Sequence, residues 1–120
     1  MDSKTTIAEL KDQVTRFRDA REWGKFNDVK SLAEALVIES GELLEIFLWK
    51  DKETISEALK SSPKYREALS DEVADVFIYL LQLVHDSGVD LSEAVAKKME
   101  KNARKYPVEE WKGKMTKYTA

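Results

Sequence analysis

Residues 31–49, SLAEALVIESGELLEIFLW, decide how this chain folds. At about 100° per residue, Leu32, Ala35, Leu36, Leu43 and Ile46 fall on one stripe of a helix, and such a stripe is the face a helix buries. Glu39 stands in the middle of that stripe. Glu42, three residues on, lies on the adjacent ridge of the same face. A second stretch, PKYREALSDEVADVFIYLLQLVHDS from Pro63 to Ser87, repeats the arrangement. Tyr65, Leu69, Val76, Tyr79 and Leu83 make its stripe, Glu72 sits amid them, and Asp75 follows three residues later. Each of two helices therefore carries an acid-x-x-acid pair turned inward, where apolar residues belong.

The rest of the chain reads as further helices, with no alternating stretch that suits a strand. A first helix is expected from Thr6 to Trp23, with Ile7, Leu10, Val14 and Phe17 on its stripe, before a break at Gly24 and Asn27. The second begins at an Asp28 or Ser31 cap and runs to about Trp49. Lys50 to Ser62 is polar and reads as a loop with a short helical piece around Ile55, Ala58 and Leu59. Pro63 suits the first turn of the third helix and Gly88 its C-terminal cap. Asp90 or Ser92 caps a fourth helix that ends before Pro107, and the tail from Val108 is expected to be irregular. At 120 residues with no repeat or linker, residues 1–120 form a single domain. The fold class is all-α with a four-helix core.

From Val73 to Val84 the third helix is apolar around nearly its whole circumference, broken only at Gln82 within the run from Val76. A helix apolar all round is normally buried all round, so a homo-oligomer, dimer or tetramer, is expected to complete the core. Gly41 lies mid-helix, away from the acids, and suggests close approach of another helix.

Composition excludes several function classes. With 42% apolar residues and a net charge of −3, disorder is not expected, and the mildly acidic balance disfavours a general nucleic-acid binder. The absence of cysteine rules out disulfides and thiolate metal sites, and a lone histidine, His85, rules out a multi-histidine centre within one chain. No apolar run is long enough to span a membrane. Met1 to Lys11 is polar and lacks the apolar core of a signal peptide, so a reducing, cytoplasmic setting is expected.

Burying four carboxylates without compensation costs several kcal/mol each or drives them to protonate. No Lys or Arg on either stripe is placed to neutralise them. A divalent cation resolves the conflict. Oxygen-only ligands select a hard ion, Mg²⁺ first, with Mn²⁺ as a possible substitute. A di-iron bundle needs Glu-x-x-His pairs, and here both pairs end in an acid. Glu45, one turn beyond Glu42, is a candidate helper, and Glu39 or Glu42 could serve as base instead of ligand.

The segments LVIESGELLEIFLW (Leu36 to Trp49) and DEVADVFIY (Asp71 to Tyr79) resemble the MazG-like nucleotide pyrophosphohydrolases. KMEKNARKYP (Lys98 to Pro107) and KYT (Lys117 to Thr119) are similar to the dCTP pyrophosphatase branch. The resemblance implies an all-α protomer with active sites near an oligomer interface. It also implies Mg²⁺-dependent hydrolysis of a (deoxy)nucleoside triphosphate to monophosphate and pyrophosphate. It places metal ligands at Glu39, Glu42, Glu72 and Asp75, the acids already picked out by helix geometry. Lys98, Asn102 and Lys105, spaced to share a face, are implied to meet the phosphates, with Tyr106 beside them. Trp23, Asn27, Trp49 and Tyr79 are implied to bind base and sugar. Asn27 stands where histidine is usual in the branch, which alters how a base edge would be read. The competing reading is a regulatory module that binds metal and nucleotide without turnover.

Overall fold

Side-chain caps set the helix starts. In the computed structural model, which describes residues 1–114, Thr6, Asp28, Asp51, Ser62 and Asp90 each accept the backbone N–H three residues on. They open α1 (Ile7–Ala20), α2 (Val29–Glu45), α3 (Lys52–Ser61), α4 (Pro63–Ser87) and α5 (Leu91–Lys105). A 3-10 turn at Trp23–Phe26 and a one-turn α6 (Val108–Trp111) complete the helices, and no strand occurs among the described residues. Pro63 sits in the first turn of α4, and Gly88 ends it at φ +72°, a left-handed conformation that favours glycine.

The structure departs from the expected elements in four places. α1 stops at Ala20 because Glu22 turns left-handed, at φ +54°, and starts the Trp23 turn. α2 ends at Glu45, and the chain leaves it through turns that put Trp49 at φ +64°. Within Lys50–Ser62 the expected short helical piece is the ten-residue α3, which fills most of the stretch, capped by Asp51 and packed on α4. The region from Val108 opens with α6, whose Trp111 lies edge-on to Tyr106 with ring centroids 4.9 Å apart. The KYT segment lies outside the described residues.

The chain divides into two compact units, Met1–Gly88 and Val89–Ala120, each described by itself. In the first, α4 is the hub: α2 packs along it most extensively, and α1 and α3 also pack on it. Tyr65 near the start of α4 donates its hydroxyl to the Ile46 carbonyl, 3.0 Å away, and so fixes the end of α2. Leu32 on α2 and Leu81 on α4 are fully enclosed. That centre is thin, because Val37 and Ile38 on α2 remain 71% and 62% exposed and Val73 on α4 49%. An apolar cavity of about 400 Å³, lined in part by Leu10, Val14, Ala74 and Phe77, opens between α1 and α4. A Cβ at Gly41 would meet nothing within 4 Å among the described residues of one chain. No helix among the described residues is long and apolar enough to cross a membrane.

Candidate active site

The packing of α2 on α4 brings three of the four acids together. Carboxylate oxygens of Glu39, Glu72 and Asp75 all lie within 4.8 Å of one another. Glu39 and Glu72 are half-buried and Asp75 is exposed. Glu42 falls outside this trio and is exposed, as is Glu45, although both lie near enough for their charges to act on Glu72.

Two observations speak to what this cluster can hold. Among the described residues, Glu39 Oε2 and Glu72 Oε2 are buried without any hydrogen-bond partner. Buried acceptors are normally satisfied, so one orphan on each helix, both on residues of the cluster, fits a hard cation. The electrostatics agree. Burial pushes Glu39 up to about 6 from the ordinary 4.5, helped by a hydrogen bond and charge repulsion from Glu42 and then by Asp75 and Glu72. Burial likewise raises Glu72, followed by the charges of Glu42 and Asp75. Crowded carboxylates resist ionising together, and a cation among them reverses that preference.

Beside the acids lies a cavity of about 350 Å³, at the small end of the range for ligand pockets. Glu39 and Asp75 line it together with Trp23, Asn27 and Tyr79. Three of the four residues expected to bind base and sugar therefore share one cavity with two of the acids. Trp49 does not line it: this side chain is 99% exposed, on left-handed backbone.

Arg18 and Gln82 also line the cavity, and both are buried, at 8% exposure. Sequence reasoning missed them as site residues. Arg18 directly follows the stripe residue Phe17 and reads as a surface cation, while Gln82 was legible only as an interruption of an apolar run. The Arg18 guanidinium is fixed by Asp86, with Nη1 donating to both carboxylate oxygens at 3.0 and 2.9 Å. Burial pushes the Asp86 carboxyl up, but hydrogen bonds from His85 and Arg18, with their charges, bring it below its ordinary value. A Cβ at Gly24 would lie 3.4 Å from Arg18 Nε, so glycine lets the turn close over the guanidinium. His85 is taken up by Asp86, its Nδ1 3.0 Å from the carboxylate.

In the second unit, Lys98 and Lys105 are exposed on α5 and Asn102 is half-buried. Tyr106 follows, its amide donating to the Asn102 carbonyl at 2.8 Å. Lys97 and Lys101 are exposed.

Residues 35–120 match the model of the MazG-like family. The chain is 41% identical over 118 residues to dCTP pyrophosphatase 1 of Bos taurus, covering 98% of this chain and 69% of that protein. It is 39% identical over 115 residues to dCTP pyrophosphatase 1 of Homo sapiens, covering 95% of this chain and 66% of that protein. The chain thus spans about two thirds of the length of these mammalian relatives. A solved pyrophosphatase from Archaeoglobus fulgidus DSM 4304 superimposes with a TM-score of 0.76 at 44% identity, covering 83% of this chain and 91% of that one.

Proposed function

We infer the function from one premise: the chain belongs to the MazG-like family. It is a nucleotide pyrophosphohydrolase. In our reading it hydrolyses a deoxynucleoside triphosphate to the monophosphate and pyrophosphate, with dCTP or a modified cytosine deoxynucleotide as substrate, and so cleans or regulates the nucleotide pool. The observation that carries this reading is the juxtaposition of three clustered carboxylates, two with unsatisfied buried oxygens, and a cavity lined by aromatic and amide side chains.

Glu39, Glu42, Glu72 and Asp75 would hold the metal, Mg²⁺ with Mn²⁺ as substitute. When bound, it supplies charge neutralisation for the triphosphate and lowers the pKa of a water. The protein's own groups do the rest. One of Glu39, Glu42 and Glu45 accepts the proton of the attacking water. Lys98, Asn102 and Lys105 take the phosphate oxygens, with Tyr106 beside them. Tyr79, one turn beyond Asp75, packs against the deoxyribose and disfavours a 2′-hydroxyl. Trp23 and Trp49 offer stacking faces to the base, and the Asn27 amide reads its edge. An exposed tryptophan on left-handed backbone is costly to keep, and a stacking role gives a reason for it.

The exposed valine and isoleucine faces of α2 and α4 support a homo-oligomer, dimer or tetramer, with residues 1–120 as one domain in each copy. The lack of cysteine suits a cytoplasmic setting. The test is a panel of canonical and modified triphosphates with Mg²⁺, following pyrophosphate and monophosphate together. Equal release of both from one deoxynucleotide is expected, abolished by EDTA. Mg²⁺-dependent nucleotide binding without turnover would replace the enzyme by a sensor.

A further inference from the structure

The apolar run of α4 is broken once, at Gln82, and the reaction described above gives that residue no task. Glu72, Asp75, Tyr79 and Gln82 are spaced by three, four and three, so they share one face of the helix. Gln82 stands seven residues beyond Asp75, about 10 Å along the helix axis. That separation is comparable with the span from the phosphates to the far edge of the base in a nucleotide. Gln82 is 8% exposed and lines the same cavity as Glu39, Asp75, Trp23 and Asn27. Among the described residues, no hydrogen bond from protein reaches its amide. The amide atoms are not enclosed but reach the open cavity, so the cavity end of α4 presents a free donor and acceptor to a complementary edge. Arg18, the other buried polar residue there, has its Nη1 held by both oxygens of Asp86 and its Nε 3.5 Å from the Asp19 carboxylate.

We propose that Gln82 is a specificity-determining residue that pairs with the hydrogen-bonding edge of the pyrimidine base. This rests on reading the cavity as the nucleoside pocket. With cytosine, the Gln82 NH₂ donates to N3 and Oε1 accepts from the N4 amino group. The pair identifies the base at the end of the cavity away from the acids, so it sets which nucleotide binds and leaves the bond cleavage to the acids. A site built to pair with an amino group rejects the analogue that lacks it, because its own polar atom is left unpaired.

The experiment compares dCTP with its analogue lacking the N4 amino group, a pyrimidin-2-one deoxynucleoside triphosphate, on wild type and Gln82→Met. Wild type is expected to prefer dCTP in kcat/KM on the order of five- to tenfold, the value of one hydrogen bond. In Gln82→Met, which keeps the volume and loses both polar atoms, that preference falls to about one, while turnover of base-free deoxyribose 5′-triphosphate is unchanged. Gln82→Asn, which keeps the amide but withdraws it, loses the same preference and serves if the methionine variant does not fold. A preference retained in the variants, or an equal loss on the base-free triphosphate, overturns the proposal. If wild type cleaves no triphosphate, the reaction reading fails on its own, and the ratio of dissociation constants for the same two nucleotides decides Gln82. Absence of nucleotide binding overturns it too.

Discussion

Glu39 on α2 and Glu72 on α4 face each other across the main helix pair of the first unit, and each keeps one buried oxygen that no donor among the described residues reaches. Asp75 completes the group within 4.8 Å. Among the described residues these like charges lie together with two oxygens left unsatisfied, so the site should cost the protein stability until a cation binds.

That relationship has a direct consequence for Glu72→Gln. The amide removes one repelling charge and supplies a donor, so the metal-free variant should unfold at the same temperature as wild type or higher. Its stabilisation by added Mg²⁺ should largely vanish, and kcat/KM should fall by about a hundredfold or more, as when one precisely placed electrostatic partner is lost. Thermal unfolding with and without Mg²⁺, beside steady-state kinetics, checks both halves. A metal-free variant markedly less stable than wild type would contradict the account.

The pH dependence follows from Glu39. Its folded pKa, about 6, lies above the ordinary 4.5, so between these values the folded state holds a proton the unfolded chain has released. The stabilisation is present below pH 4.5 and is lost as pH rises through 6, and Glu72 acts in the same direction. Asp86 acts oppositely: its stabilisation is present above 3.8 and is lost as pH falls through its lowered value. In EDTA the melting temperature should therefore decline from pH 5 to 7. Saturating Mg²⁺, which needs ionised carboxylates, should reverse that slope.

Much of this arrangement was legible in the sequence because it depends on helix period alone. Acids at 39, 42, 72 and 75 stand on apolar stripes wherever the helices pack, and α4 was bounded by Pro63 and Gly88 on local grounds. What escaped depends on distant partners or on turn geometry. The full length of α3 was not legible, because only Ile55, Ala58 and Leu59 mark its apolar face before α4 is in place. Trp49 leaves the expected helix because the backbone turns after Glu45. Arg18 is held in its buried place by Asp86, 68 positions away in sequence, and by the turn at Gly24.

The Arg18–Asp86 pair gives a stability prediction. Removing one partner of a buried ion pair costs roughly 3–5 kcal/mol. Asp86→Asn should fall toward the low end, since the Asp86 side chain keeps 22% exposure against 9% for Arg18. Urea unfolding should register the loss, and a cost under about 1 kcal/mol would mean that the pair does not hold Arg18 in place.

Trp49→Ala separates stability from binding. The side chain is 99% exposed, so its removal should leave the melting temperature unchanged. If it stacks on the base, KM for the nucleotide should rise at least fivefold, given stacking worth about 1–3 kcal/mol. An unchanged KM would remove Trp49 from the binding residues.

The central claim, that the acids of α2 and α4 form a divalent-metal site, is tested most directly by titration calorimetry of Mg²⁺ into the metal-free protein at pH 7.5. Wild type should bind saturably, and Glu39→Gln and Glu72→Gln should each lose that binding while keeping their helical circular-dichroism spectrum. Saturable binding that survives in both variants, or its absence in wild type with and without nucleotide, would contradict the account.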